Sequence, residues 1–352
     1  MPYRTIDHSH FTVEIEEPQI YINNQARFRS GHVSHAMAEY APGRVIDFNA
    51  NYSPVRGGGH SNYGWIEYRL SDDGGKTFSE SHDLPYSVKS FLDGLWTISV
   101  EKAVGGGDGS IVAFCLRNTM LEEICGAPHL TPTCVRSEDG GKTWGEPYEC
   151  IPYKGRIYDA VYRGGVIYVL IFCNEYFTGQ TPEDVYRVYT STDNGRSFQE
   201  RSVIPYPTTL NHAYGSLLFD EEGRLHAYSY NRDAERMMEH AVSTDNGATW
   251  EILRPCYLPL GIRNPQTALI DGVYVLHGRG DNDSKFVFYT SEDATVWDAG
   301  LNIGEMKSSC YYSNNLNLRD EKGNYLLVQY SDRYDSSGRV NVMHLKLRIK
   351  KK

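Results

Sequence analysis

SDDGGKTF (71–78), SEDGGKTW (137–144), STDNGRSF (191–198) and STDNGATW (243–250) are copies of one eight-residue pattern, Ser-x-Asp-x-Gly-x-Thr/Ser-Trp/Phe. A shorter, decayed copy, SEDATVW, begins at Ser291. Successive copies start roughly 50 to 65 residues apart, the span of one four-stranded unit with its loops. The pattern has a local physical logic. Its Asp accepts hydrogen bonds from backbone N–H groups of its own turn. Its Gly suits a position with φ above zero. The final aromatic ring folds inward and plugs a gap between strands. Asp73, Asp139, Asp193 and Asp245 therefore read as staples rather than as catalytic carboxylates.

Working outward from these copies, six pairs of strand-like runs appear, each around a Gly-containing turn. They occupy residues 33–50, 96–116, 157–174, 212–230, 265–278 and 312–330. The sixth unit lacks the eight-residue pattern, and its outer strand reads VNVMHLKLRI (340–349). FTVEIEE (11–17) is available to complete that unit as a clasp between the chain ends. No long amphipathic helix, linker or composition break interrupts the series. The expectation is an all-β protein: a six-bladed β-propeller with four-stranded antiparallel blades, one domain over residues 1–352.

Composition agrees. The chain is 40% hydrophobic, and 27 of its aromatic residues are Tyr, a strand-rich mixture. Its formal charge of -10 argues against nucleic acid or an anionic membrane as partner. It leaves room for a local arginine cluster that holds a carboxylate. Seven scattered cysteines, without a CxxC pair, read as free, mostly buried thiols. The first residues, MPYRTIDHSHFTVEIEE, contain no apolar signal core, and no apolar run approaches the roughly 20 residues of a membrane span. The chain as given is expected to be cytoplasmic; one whose leader had been removed would read the same way.

The repeats resemble the Asp-boxes of the sialidase superfamily of six-bladed propellers, and the resemblance covers nearly the whole chain. It implies a site at the pore end where inner strands begin. There the family uses a Tyr nucleophile with a Glu partner, an Asp acid/base and three arginines around a substrate carboxylate. In blade six, CYYSNNLNL aligns Tyr312 with the nucleophile, with Tyr311 as the neighbouring register. In blade five, IRNPQTAL and HGRGDND supply Arg263 and Arg279 as carboxylate binders. In blade one the family's Phe-Arg-Ile-Pro is absent; Arg29 follows Phe28, and His32 and His35 stand where the strand enters the pore.

Other departures bear on the chemistry. The loop expected to carry the acid/base Asp, NANYSPVRGGGHSNYG, has no acidic residue and offers His60 with Arg56 beside it. The family Glu is replaced in LNHAYGSLLF by His212 and Tyr214, of which His212 is the candidate partner for Tyr312. Arg232 stands after that hairpin. Blade three presents Tyr158 and Asp159, and blade two presents Asp93 and Trp96, a stacking platform for a sugar. The catalytic candidates are thus His60, Tyr312 and His212. The substrate-binding candidates are Arg29, His35, Arg56, Trp96, Asp159, Arg263 and Arg279. Each also has an ordinary structural reading, as a rim arginine, a backbone-bonded histidine or a packed ring. No cofactor is implied, and the histidine spacings match no zinc pattern.

The resemblance implies an exo-glycosidase that removes a terminal acidic sugar from a small or oligomeric glycan. Two alternatives stay open: β-elimination at a uronic acid by His, Tyr and Arg, and non-catalytic glycan binding.

Overall fold

The computed structural model describes residues 3–31, 33–54, 63–94, 96–119, 128–176, 181, 183–207, 211–280, 285–305, 312–336 and 338–352. Six antiparallel sheets follow one another along the chain. Their first strands are Met37–Ala41, Trp96–Gly105, Gly155–Arg163, His212–Phe219, Arg263–Ile270 and Ser313–Asp320. Each of these touches the first strand of the next sheet, and the sixth touches the first. They form the innermost ring of a six-bladed β-propeller, with the later strands of each blade radiating outward.

The chain ends are fastened in blade six. Phe11–Ile15 pairs with Val340–Lys351 in the register Phe11↔Lys351 to Ile15↔Leu347. Gln19–Ile22 pairs with the same C-terminal strand through Val342, Met343 and His344. The N-terminal segment read as a clasp is one, and it brings the sixth sheet to six strands rather than four. Between blades the packing is apolar. Ile46, Phe48 and Ile66 of blade one meet Ile98, Val100 and Ile111 of blade two, all buried. Leu170, Phe172 and Val188 of blade three meet Leu217, Leu225 and Ala241 of blade four.

The eight-residue repeats form the turns that the sequence predicts. In the second copy, Asp139 accepts from the N–H groups of Lys142 (3.0 Å) and Thr143 (2.9 Å), and from the Thr143 hydroxyl (2.6 Å). The aromatic ring, however, does more than fill its own blade. Trp144 packs edge-on against Phe48 of blade one at 5.7 Å, and Phe198 against Phe114 of blade two at 5.6 Å. The neighbouring blade reciprocates through tyrosine hydroxyls. Tyr68 donates to the Gly141 carbonyl (2.7 Å), and Tyr325 of blade six donates to Gly74 of blade one (2.9 Å). Each repeat is therefore a staple between blades as well as within one. Cys115, Cys134, Cys150, Cys173 and Cys256 are free and buried; Cys125 and Cys310 lie outside the described residues.

Candidate active site

The pore is polar and blocked midway. Lys102 of blade two projects into it and donates to Gln266 Oε1 (2.7 Å) and Asn314 Oδ1 (2.7 Å), with Asp159 Oδ1 at 3.1 Å. These partners match the three N–H bonds of an ammonium, so the charge is saturated where it sits. The other Asp159 oxygen accepts from the Ser216 hydroxyl (2.8 Å) and the Leu217 N–H (2.7 Å). Asp159, expected to contact substrate, is instead committed to this plug.

Above the plug, where the inner strands begin, lies a narrow pocket of about 40 Å³, room for roughly three water-sized groups. Its wall includes His35, Glu101, Arg156, Tyr158, Tyr214 and Tyr312. Strand irregularities aim several of them. Pairing slips by one residue between Val100 and Lys102, and again between Ala213 and Gly215. At such bulges successive side chains cease to alternate. Adjacent residues Glu101 and Lys102 consequently both reach the pocket. Tyr214 takes a left-handed backbone with φ of 53°, unusual for an aromatic residue and a conformation that clusters at functional sites.

The chemistry centres on Tyr312. Its hydroxyl lies 3.2 Å from that of Tyr214, which accepts a 3.2 Å hydrogen bond from Arg279 Nη2. The Arg279 guanidinium also sits 4.2 Å from the Tyr312 ring centre. Burial pushes the Tyr312 phenol up, and the Arg279 charge opposes that. Attack by this phenol requires a group to take its proton, and the Tyr214–Arg279 pair is in contact with it. Tyr158 packs against Tyr214 with ring centres 5.2 Å apart. In the same pocket wall, Glu101 accepts from Arg156 Nη2 (2.6 Å) and the Ser99 hydroxyl (2.9 Å).

The structure thus brings Tyr312 and His35 to the wall of the pore pocket, with Arg279 buried behind Tyr214 and Tyr312. Arg263 stands beside them, its guanidinium 6.0 Å from the Tyr214 ring. His212 goes elsewhere: its ring lies between Tyr186 (5.9 Å) and Tyr206 (5.6 Å), at the blade three–four contact. Burial there pulls its imidazole down to about 4. Arg29 lies on blade one, 5.8 Å from the Trp65 ring, and Trp96 packs into the blade one–two core; neither lines the pocket. Arg56, His60, His32 and Tyr311 lie outside the described residues. Glu101, Lys102 and Arg156 were not anticipated. For Glu101 and Lys102 the signal was two adjacent charges within an otherwise uncharged inner strand, since a blade core does not tolerate them unpaired.

No family model matches the chain, and no curated protein does. Solved structures do. A protein of unknown function from Dyadobacter fermentans superposes with a TM-score of 0.72 at 16% identity, covering 96% of this chain and 99% of that one. The Hadza microbial sialidase Hz136 gives 0.66 at 12%, covering 96% and 68%. The intramolecular trans-sialidase from Ruminococcus gnavus, solved with oseltamivir carboxylate, gives 0.63 at 12%, covering 94% and 96%. At these identities the shared property is the fold: this chain has the six-bladed propeller architecture that these sialidases also have.

Proposed function

We propose that the protein is a glycoside hydrolase that removes a terminal acidic sugar from a glycan, with Tyr312 as nucleophile. One observation carries this reading: a tyrosine in the pore pocket is joined hydroxyl to hydroxyl with a second tyrosine that a buried arginine holds. The Tyr312 oxygen attacks the anomeric carbon as its proton passes to the Tyr214 oxygen, and Tyr214 releases its own proton to water at the pocket mouth, so that the pair acts as a relay. Arg279 stabilises negative charge that develops on either phenol, and with Arg263 it attracts the sugar carboxylate. Glu101, bridged to Arg156 in the same pocket, stabilises positive charge on the sugar ring in an oxocarbenium-like transition state. His35 and, outside the described residues, His60 are the candidates to protonate the leaving oxygen.

β-Elimination remains the second reading because the same Tyr–Tyr–Arg group suits proton removal beside a neutralised carboxylate. Fluorogenic sialosides and uronides, run beside uronic-acid polysaccharides, separate the two. Release of the fluorophore with water incorporation supports hydrolysis. An unsaturated, ultraviolet-absorbing product would replace it with elimination, and turnover of neutral hexosides alone would remove the carboxylate role of the arginines.

A further inference from the structure

Beside the pore pocket, at the same end of the propeller, a second cleft opens between blades four and five. Its walls are the loop after Leu225–Asn231, carrying Arg232 to Arg236, and the turn before Arg263–Ile270. About 490 Å³ of space lies between them. Two tyrosines and an arginine link this cleft to the pore pocket. The Tyr214 and Tyr230 rings are 6.1 Å apart, and the Arg263 guanidinium stands 6.0 Å from one and 5.8 Å from the other. Tyr214 lines the pore pocket, whereas Tyr230 and Arg263 line the cleft.

The charges in the cleft are unevenly engaged. Glu235 accepts a 2.8 Å hydrogen bond from the Tyr230 hydroxyl, and Asp233 accepts from Asn211 at 3.4 Å. The Arg232 and Arg236 side chains are exposed and have no hydrogen bond or ion pair among the described residues. Among the described residues, the Arg232 and Arg236 guanidiniums thus stand without a counterion, while Asp233 and Glu235 each already accept a hydrogen bond. An arginine fork without a carboxylate partner is suited to a planar oxyanion brought by a ligand.

We propose that this cleft is a second anion subsite, which takes an acidic sugar joined to the one held in the pore pocket. The preferred substrate class is then a glycan with carboxylates on two consecutive residues. Arg263 sits between the two positions, and Arg232 and Arg236 meet the outer carboxylate. The proposal rests on the reading of the pore pocket as a site for an acidic sugar.

Calorimetric titration tests it, with a disialyl and a digalacturonyl disaccharide each compared with its monosaccharide, on the full chain and on the R232Q/R236Q variant. Both replaced residues are exposed, so the fold is retained; thermal unfolding of the variant checks this. The intact protein is expected to bind one disaccharide at least ~10-fold more tightly than its monosaccharide, an advantage of about 1.4 kcal/mol. The variant is expected to lose that advantage while its monosaccharide affinity stays unchanged. The advantage should also shrink as salt is raised, because the outer arginines are solvated. Monosaccharide binding with no gain from the second carboxylate overturns the subsite alone, as does a gain that survives in the variant. Failure of every sugar to bind the intact protein overturns the pore reading together with this one.

Discussion

The hydroxyls of Tyr214 and Tyr312 stand 3.2 Å apart although 98 residues of chain separate them, and Tyr214 adopts a left-handed backbone to get there. A bulge in the first strand of blade four turns its side chain toward the pore, where it meets Tyr312 at the start of blade six. Replacing Tyr312 with Phe removes the nucleophile and leaves the ring packing. It is expected to lower kcat by at least ~10³-fold with sugar affinity retained. Tyr214→Phe should cost roughly 10²-fold, the usual scale of a proton-transfer group. Steady-state kinetics beside binding measurements check both; equal loss of affinity in both variants would mean that the two phenols only hold substrate.

Arg279 is the largest side chain among the fully buried ones, 1% exposed, and it contacts both phenols. Lysine keeps the charge but loses the planar face over Tyr312 and the second donor arm. Arg279→Lys is therefore expected to raise KM for an acidic sugar and to move the ascending limb of the kcat profile, where the Tyr312 phenol gives up its proton, to higher pH, because that phenol loses part of its neighbouring positive charge. An unchanged pH profile would show that the arginine acts only on substrate.

The propeller was legible because its signal is local. Each repeat contains its own turn, donor set and plug, so five copies read along the chain define the blades without knowledge of their neighbours. The placement of candidate residues was legible only where strand order and direction suffice, as for Tyr312, which lines the pocket, and Arg279, which packs against it. It failed where side-chain alternation is broken. Counting by twos from Tyr214 puts His212 on the same face, but the bulge between Ala213 and Gly215 separates them, and His212 turns toward Tyr186 and Tyr206. The same irregularity after Val100 hid Glu101, which regular alternation would point away from the pocket that Lys102 reaches. Asp159 misled for another reason: its partner Lys102 comes from a different blade, and no spacing rule within one chain segment reveals such a pair.

That pair carries its own prediction. Lys102 and Asp159 are 8% and 5% exposed, so removing one charge leaves the other buried without its counterion. Lys102→Met is expected to cost about 3–5 kcal/mol, measured by denaturant unfolding. Adding Asp159→Asn should recover a large part of that loss, because two neutral groups no longer demand mutual compensation. A single variant as stable as the parent would show that water already solvates the plug.

Acid should unfold the protein in two stages. Burial holds the imidazoles of His129, His277 and His344 down to about 3, against 6.5 in a free chain. Between those values the unfolded chain binds more protons than the folded one, so stability falls as pH drops below about 6.5. Asp47 works in the opposite direction, since burial pushes it up to about 6 and its protonation favours the folded state over the interval down to 3.8. Glu239 and Asp332, which burial also raises, act with Asp47, while His212 and His240, held down to about 4 and about 3, act with the other histidines, so the histidines outnumber the carboxyls. A further loss begins near the ordinary carboxylate value of 3.8. There the Thr143 hydroxyl and backbone N–H bonds that hold Asp139 down to about 2 start to fail, and the corresponding repeat of another blade, at Asp193, is likewise held to about 2. Thermal midpoints measured from pH 8 to pH 2 are expected to decline from the histidine range and to steepen below about 4. Asp139→Asn should flatten the second stage and leave the first in place. A midpoint constant from pH 7 to pH 4 would contradict the buried neutral histidines.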